Sequence, residues 1–455
     1  MGSPSIEPPY YAAFQHYEAG QLTDVVEACT AILNRTPRDS RTLRLLGLAY
    51  CGQGEFDRGG YCLTAALANM AEHEPEAVPT LNELAASYLA RDDPAAAVDC
   101  YRRALDRRPD DISTLGKCAG ALVQRNCHAE AIGVYRAALA IEPALLDFRT
   151  HEGIALLAMG QWTAGWPSFE ARLRMPRLYP GNRFPQDVPR WRGELNMTVL
   201  LQAEQGLGDT LNFVRYVPLV AGRGTRVILR VQQDLGKLLA GFPGADTVLT
   251  NYDEAGQIDA WCPLMSLPMI FGTEPATIPS QVPYVRPPVE YPLLWQAILG
   301  PHRRPRIGIV WSARQYIPLR SMSLAALAPL LARQDLEFHV LQKDVADADR
   351  AWLAGRPNVV DHSSNLKDFA DTAAIASLLD MVLTIDTAVA HLAGAMARPV
   401  WIMLPFSADW RWLTDRTHTG WYPTARLFRQ QRPGDWDGVV AEVMRCLAVR
   451  WPERR

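Results

Sequence analysis

The chain has 455 residues, 48% of them hydrophobic, enough to bury several cores and in keeping with about three domains. Its 46 basic and 49 acidic residues leave a formal net charge of -3 with no local run of like charge, which gives no electrostatic case for a nucleic-acid partner. The opening MGSPSIEPPY lacks a basic stretch followed by an apolar one, and no segment approaches the ~18 apolar residues of a membrane span. A cytoplasmic protein without a transmembrane segment is expected. The cysteines are scattered without a C-x-x-C pair, which suggests neither a zinc site nor a redox couple.

Internal repetition comes first along the chain. LNELAASYLARDDPAAAVDCYRRALDRRPDD aligns with LGKCAGALVQRNCHAEAIGVYRAALAIEPAL at a period of 34 residues, placing Ala85 on Ala119, Ala97 on Ala131, Tyr101 on Tyr135, Ala104 on Ala138 and Pro109 on Pro143. Small residues where two helices cross, an aromatic on the second helix and a proline ending it resemble the tetratricopeptide repeat. The frame extends outward through Ala13, Pro37, Gly47, Tyr50 and Ala66, and forward to Gly153 and Phe169, with a short insertion AEHEPEAV between the second and third units. About five helical hairpins are expected over residues 1–177. Each hairpin buries one face only by stacking, and the stack leaves a concave groove suited to an extended peptide or a protein partner.

From Pro176 to Pro189 prolines and polar or aromatic residues break helical periodicity, so residues 178–196 read as a linker. Beyond it short apolar runs alternate with amphipathic stretches: TVLLQA, DTLNFVRYVPLVAGR, RVILRV, QDLGKLLAGF and TVLT. After the proline-rich TIPSQVPYVRPPVEYP a second alternating block runs from RIGIVWSA through EFHVLQK, NVVDHS, MVLTIDT and PVWIMLP to ARLFRQ, and ends in the helix WDGVVAEVMRCLAV. Such alternation predicts two parallel sheets of similar size with helices on both faces, with ligands bound outside the carboxyl ends of the strands.

Two strand-to-helix loops carry the candidate chemistry. In MVLTIDTAVAHLAGAMA, Asp386 ends a strand, Thr387 is placed to cap a helix, and His391 lies four residues on. The free N–H groups of a helix start suit an anion, so Asp386 is a candidate acceptor from a ribose or sugar hydroxyl, with Thr387 and His391 near a phosphate. The alternative is an ordinary cap above a packed histidine. In QAEQGLGDTL, Gly206 and Gly208 would permit positive φ and a close ligand approach, while the charge of Asp209 would repel phosphate and fits a base better. The alternative for Asp209 is a helix cap. Trp410, Trp412, Trp421 and Tyr422 form either an aromatic platform or core. His302, His339, His362 and His418 show no ligand spacing.

EQGLGDT, WCPLMSLP, LQKD, DFADTAA, IDTAVAHLAGAMARPVW and LPFSADWRWL…GWYPTARLFRQ together resemble bacterial glycosyltransferases of the lipopolysaccharide heptosyltransferase group (glycosyltransferase family 9-like), in the subset that carries tetratricopeptide repeats. The resemblance implies an α + α/β chain: an N-terminal all-α superhelix followed by a GT-B fold of two Rossmann-like domains. Residues 197–300 would form the acceptor domain, 301–433 the nucleotide-sugar domain and 434–455 a C-terminal helix. It further implies metal-independent transfer of a hexose or heptose from a nucleotide-diphosphate sugar, with no cofactor. Asp209 falls on the general base, Gly206 and Gly208 on the acceptor-side loop, and Asp386, Thr387, His391, Gln342, Lys343, Ser312 and Arg320 on the donor side. This chain departs from the group after IVWS, where ARQYIPLRSMS replaces a Gly-Asn continuation; Arg314 or Arg320 would supply the phosphate cation there.

Three functions compete on this sequence. The first is a glycosyltransferase whose repeats present a protein acceptor, such as an adhesin or flagellin-like chain, or else a glycan. The second is a repeat scaffold whose α/β pair has lost activity. A nucleotide-dependent oxidoreductase is the third, and it lacks both the third glycine of a dinucleotide loop and the downstream ribose acid.

Overall fold

The computed structural model describes residues 8–71, 73–175, 185, 187–251, 255–313 and 320–452. The chain divides into two compact units, Met1–Ala155 and Leu156–Arg455.

The first unit is a tetratricopeptide-like array of helical hairpins: α1 (Pro8–Glu18) with α2 (Leu22–Leu33), α3 (Ser40–Gly52) with α4 (Phe56–Ala68), α5 (Ala77–Ala90) with α6 (Pro94–Arg107), and α7 (Ile112–Gln124) with α8 (His128–Ile141). Helix α9 (Leu146–Ala158) follows. The aligned alanines 85, 97, 104, 119, 131 and 138 are all fully buried, which is why no larger side chain fits where the helices cross. Each hairpin turn needs one left-handed residue, and the positions recur as Gly20, Gly54, Asp92 and Asn126, with Gly160 after α9. Glycine takes that conformation freely, and Asp or Asn tolerates it. Local caps start the helices: Asp39 accepts from Thr42 N at 3.1 Å, and Asp93, ahead of Pro94, accepts from Ala96 N at 3.0 Å.

The second unit opens with α10 (Trp162–Phe169) and a 3-10 turn over Glu170–Arg174. Its first sheet contains β1 (Thr198–Gln202), β2 (Arg226–Arg230), β3 (Thr247–Leu249) and β4 (Ala260–Pro263), all parallel in the order β3-β2-β1-β4. Helices α11 (Leu207–Phe213), α12 (Val217–Ala221), α13 (Gly236–Leu239), α14 (Leu267–Ile270) and α15 (Glu290–Leu299) are interleaved with and follow these strands. The second sheet contains β5 (Arg306–Val310), β6 (Glu337–Val340), β7 (Val359–Asp361), β8 (Met381–Ile385), β9 (Val400–Leu404) and β10 (Ala425–Arg429), parallel in the order β10-β9-β8-β5-β6-β7. Its helices are α16 (Ala328–Leu331), α17 (Asp347–Leu353), α18 (Phe369–Ser377), α19 (Ala388–Ala395) and the terminal α20 (Trp436–Arg450).

Among the described residues the sheets hold four strands and six, so the second is larger than the expected similar size of the two. Strands β5, β8 and β9 are buried along their whole length, as parallel strands covered on both faces must be. In each sheet the strand order reverses beside the strand that opens it, between β1 and β4 and between β5 and β8. Loops leaving the carboxyl ends at such a reversal diverge and leave a crevice.

Helix α10 is cemented into this α/β unit by aromatic rings. Trp162 stacks on Trp421 at 5.5 Å and meets Trp410 edge-on at 5.9 Å, while Trp166 meets Trp410 at 5.3 Å and donates its indole N–H to Thr273 O at 2.9 Å. Trp410, Trp412, Trp421 and Tyr422 are all buried, so the quartet is core and not an open platform. Next to α10, the fully buried Arg172 binds the equally buried Glu204 at 2.8 Å and Ser266 at 3.1 Å, pinning the loop that leaves β1.

Candidate functional site

The β1 loop turns on Gln205 (φ 55), while Gly206 sits at φ -82 as the N-cap of α11. Neither Gly206 nor Gly208 uses positive φ, which corrects the sequence expectation. Gly208 is required for a different reason: a Cβ there would lie 2.7 Å from His391 Cδ2 and 3.3 Å from Ala388 Cα, so its bareness lets α11 rest directly on α19. Asp209, at the third position of α11, reaches back with Oδ2 to accept from Gly206 N at 2.9 Å. This is one half of a capping box.

The other Asp209 oxygen accepts from Arg411, in the turn after β9. Arg411 also binds Asp409 at 2.8 Å, Asp409 binds Arg320 at 3.0 Å, and Arg320 lies 3.3 Å from Asp386 at the end of β8. Five alternating charges thus run from the tip of the first sheet to the reversal point of the second. Burial raises the proton affinity of Asp209 and Asp386, with Arg411 and Arg320 respectively opposing it. Burial also works to raise Asp409, but Arg411 and Arg320 win and hold it at about 2. The Asp209 side chain keeps 19% of its surface exposed, whereas that of Asp386 keeps 3%. Asp386 Oδ2 is buried 3.3 Å from Arg320 Nη1, and the Trp412 indole N–H faces the same carboxylate and favours its charged form.

Thr387 occupies the N-cap of α19 as expected, but its side chain makes no capping bond and instead lies 3.0 Å from Thr384 Oγ1. His391 lies under α11 with Nδ1 2.9 Å from Tyr422 Oη, stacked on Trp412 at 5.4 Å. Burial and then the charge of Arg411 keep its imidazole neutral. Asp209, Asp386, Thr387, His391, Gly206, Gly208 and Arg320 are thereby brought together. Arg314 lies outside the described residues.

Gln342, Ser312 and Lys343 sit apart from this charge chain. The Gln342 amide accepts from Ser312 N at 2.9 Å and donates to Asp344 O at 2.9 Å, so it braces the ends of β5 and β6. Ser312 Oγ faces Ala313 O at 3.3 Å. Lys343 donates to Lys367 O at 2.9 Å and lies 3.9 Å from Asp234 of the first sheet. With Lys237–Asp368 at 2.9 Å, it forms a pair of links between the sheets. Lys237, Asp234, Lys367 and Asp368 line an open cavity of about 610 Å³. Among the described residues no group of three or more His, Cys, Asp or Glu side chains is placed to hold a metal ion, and no helix is long and apolar enough to cross a membrane.

Sequence reasoning missed Asp409 and Arg411, reading only the tryptophans of SADWRWL. The available signal was an Asp-x-Arg pair embedded in an aromatic run after a buried strand, since charges set among core residues must pair.

No protein-family model matches the sequence. The chain is 25% identical over 332 residues to Protein FlbA of Caulobacter vibrioides, covering 64% of this chain and 53% of that protein. It thus spans about half the length of this curated relative. Among solved structures, a crystal structure of MamA is similar at a TM-score of 0.33 and 18% identity, over 36% of this chain and 92% of that chain. YrrB, described as a TPR protein with an unusual peptide-binding site, is similar at a TM-score of 0.34 and 13% identity, over 37% and 84%.

Proposed function

We propose that the α/β unit is a glycosyltransferase of GT-B type, moving a sugar from a nucleotide-diphosphate donor to an acceptor hydroxyl, and that the repeat array recruits a protein acceptor. One observation carries the reading: a proton-avid carboxylate at the tip of the first sheet, Asp209, is strung on one charge chain with Asp386 at the reversal point of the second. The strand order of the second sheet is that of a doubly wound nucleotide-binding fold, and Asp386 stands at its reversal point, outside the carboxyl ends of the strands where such folds bind ligands. In this reading Asp209 takes the acceptor proton as the new bond to the anomeric carbon forms. The bond from that carbon to the diphosphate oxygen breaks, and the electron pair leaves with the diphosphate. Arg320 and Arg411 exchange a carboxylate partner for phosphate oxygens as the donor enters, meeting the charge that develops there.

The test is a panel of nucleotide sugars incubated with the full chain and candidate acceptor proteins. Release of a nucleoside diphosphate that depends on acceptor and is lost in Asp209→Asn supports the assignment; no release from any donor removes it. A second reading, a scaffold with an inactive α/β unit, draws on the fact that both Asp209 oxygens are engaged within the protein. Sugar-nucleotide binding without turnover on any acceptor would favour it.

A further inference from the structure

His391 belongs to a short chain of polar atoms whose direction can be read. Tyr422 Oη lies 3.1 Å from Asn212 Oδ1 and also hydrogen-bonds Tyr284, so with the Asn212 oxygen turned toward it the Tyr422 proton is directed to these partners. The nearby Tyr284 hydroxyl donates to Leu211 O at 2.9 Å and accepts from Arg215 at 2.7 Å, so it offers Tyr422 no proton. With the Asn212 amide in this orientation, the 2.9 Å contact between His391 Nδ1 and Tyr422 Oη is made by an Nδ1–H donor. Burial holds the Tyr422 proton in place and keeps the imidazole neutral.

We infer that Tyr422 and Asn212 are positioning residues that lock His391 as the neutral Nδ1–H tautomer, so that Nε2 presents a lone pair on the Gly208 side, as a hydrogen-bond acceptor for a ligand hydroxyl. The ring has little freedom to present the other edge. It is clamped by the stack on Trp412, and a Cβ built on Gly208 would lie 3.5 Å from Nε2, which places that nitrogen against the first turn of α11, which carries Asp209. A neutral acceptor suits a sugar or ribose hydroxyl, whereas an imidazolium could only donate. This assignment of ligand class rests on the transferase reading; the tautomer does not.

The experiment is ¹⁵N NMR of the full chain labelled at histidine, with His391→Gln used to assign the signal. The unprotonated ring nitrogen resonates far downfield of the protonated one. The expected spectrum has a His391 Nδ1 that is protonated and a downfield Nε2, with the preference lost or reversed in Tyr422→Phe and in Asn212→Leu. An Nε2–H tautomer in the parent protein, or an unchanged signal in both variants, overturns the inference. Tyr422→Phe removes only the hydroxyl, and a spectrum of the other histidines like that of the parent verifies its fold. Titration with ADP, GDP, UDP and CDP separates the two claims. If one of them binds and moves the Nε2 resonance, the ligand role is supported; if one binds without moving it, that role is overturned. If none binds, the transferase reading and the ligand role that rests on it fail together, while the tautomer is judged on the free protein.

Discussion

Arg411 holds Asp209 across the junction of the two sheets, linking the turn after β9 to the first turn of α11. The base proposed at Asp209 is masked until something draws the guanidinium away. In the proposed reaction the donor diphosphate does so, which couples exposure of the base to arrival of the donor.

Replacing Asp209 with Asn keeps the shape and removes the proposed base. Acceptor-dependent diphosphate release should fall by about 10²–10⁴-fold. Nucleotide affinity, measured by calorimetry, should stay close to that of the parent.

Arg411→Ala leaves Asp409 and Asp209 facing each other without their shared cation. Breaking a buried pair from one side costs about 3–5 kcal/mol. A clear fall in the thermal midpoint of the α/β unit is expected, with most of it recovered in Asp409→Asn/Arg411→Ala if the uncompensated charge is the cause.

The carboxyl groups differ in how pH acts on them. Asp409, held at about 2 against an ordinary value of 3.8, adds stability that is complete above 3.8 and drains away as pH falls toward 2. The deficit of Asp409→Asn in urea unfolding should therefore be largest near neutrality and narrow on acidification. Asp386, raised by burial, adds most when protonated and loses that contribution as pH rises through its elevated value. Relative to the parent, Asp386→Asn should gain stability as pH rises, the opposite slope.

Gly208→Ala forces a methyl group to within 2.7 Å of His391 Cδ2. Overpacking of this kind costs about 1–3 kcal/mol. Helix α11 should lift from α19, read as a lowered thermal midpoint together with a shifted His391 ring signal.

Trp162→Ala empties the space between Trp410 and Trp421. Truncating a buried aromatic costs about 3–5 kcal/mol. Calorimetry of the full chain should show the loss in the α/β unit.

Much of the architecture was legible because its signals are local. The repeat period is written in alanines that only a helix crossing demands, and the strands are short, largely apolar runs such as RIGIV and MVLTI. Asp209, Asp386 and His391 stood out because each follows a strand at a fixed offset. The role of Gly208 did not, since the constraint on it comes from Ala388 and His391, nearly two hundred residues away. Asp409 and Arg411 escaped for the same reason: their partners, Asp209, Arg320 and Asp386, come from three other loops, and no spacing within SADWRWL announces them. The four-strand limit of the first sheet was equally hidden, because pairing is decided by neighbours and not by the run itself.

The placement of α10 governs where this gene can be cut and rejoined. Although Trp162–Phe169 keeps the cadence of the hairpins, its indoles complete the aromatic core of the α/β unit. A chimera exchanging the superhelix must be spliced upstream of Leu156. One spliced at residue 177 would carry off two tryptophans and leave a sticky apolar scar over Trp410 and Trp421, so it should precipitate or self-associate where the longer fragment stays monodisperse.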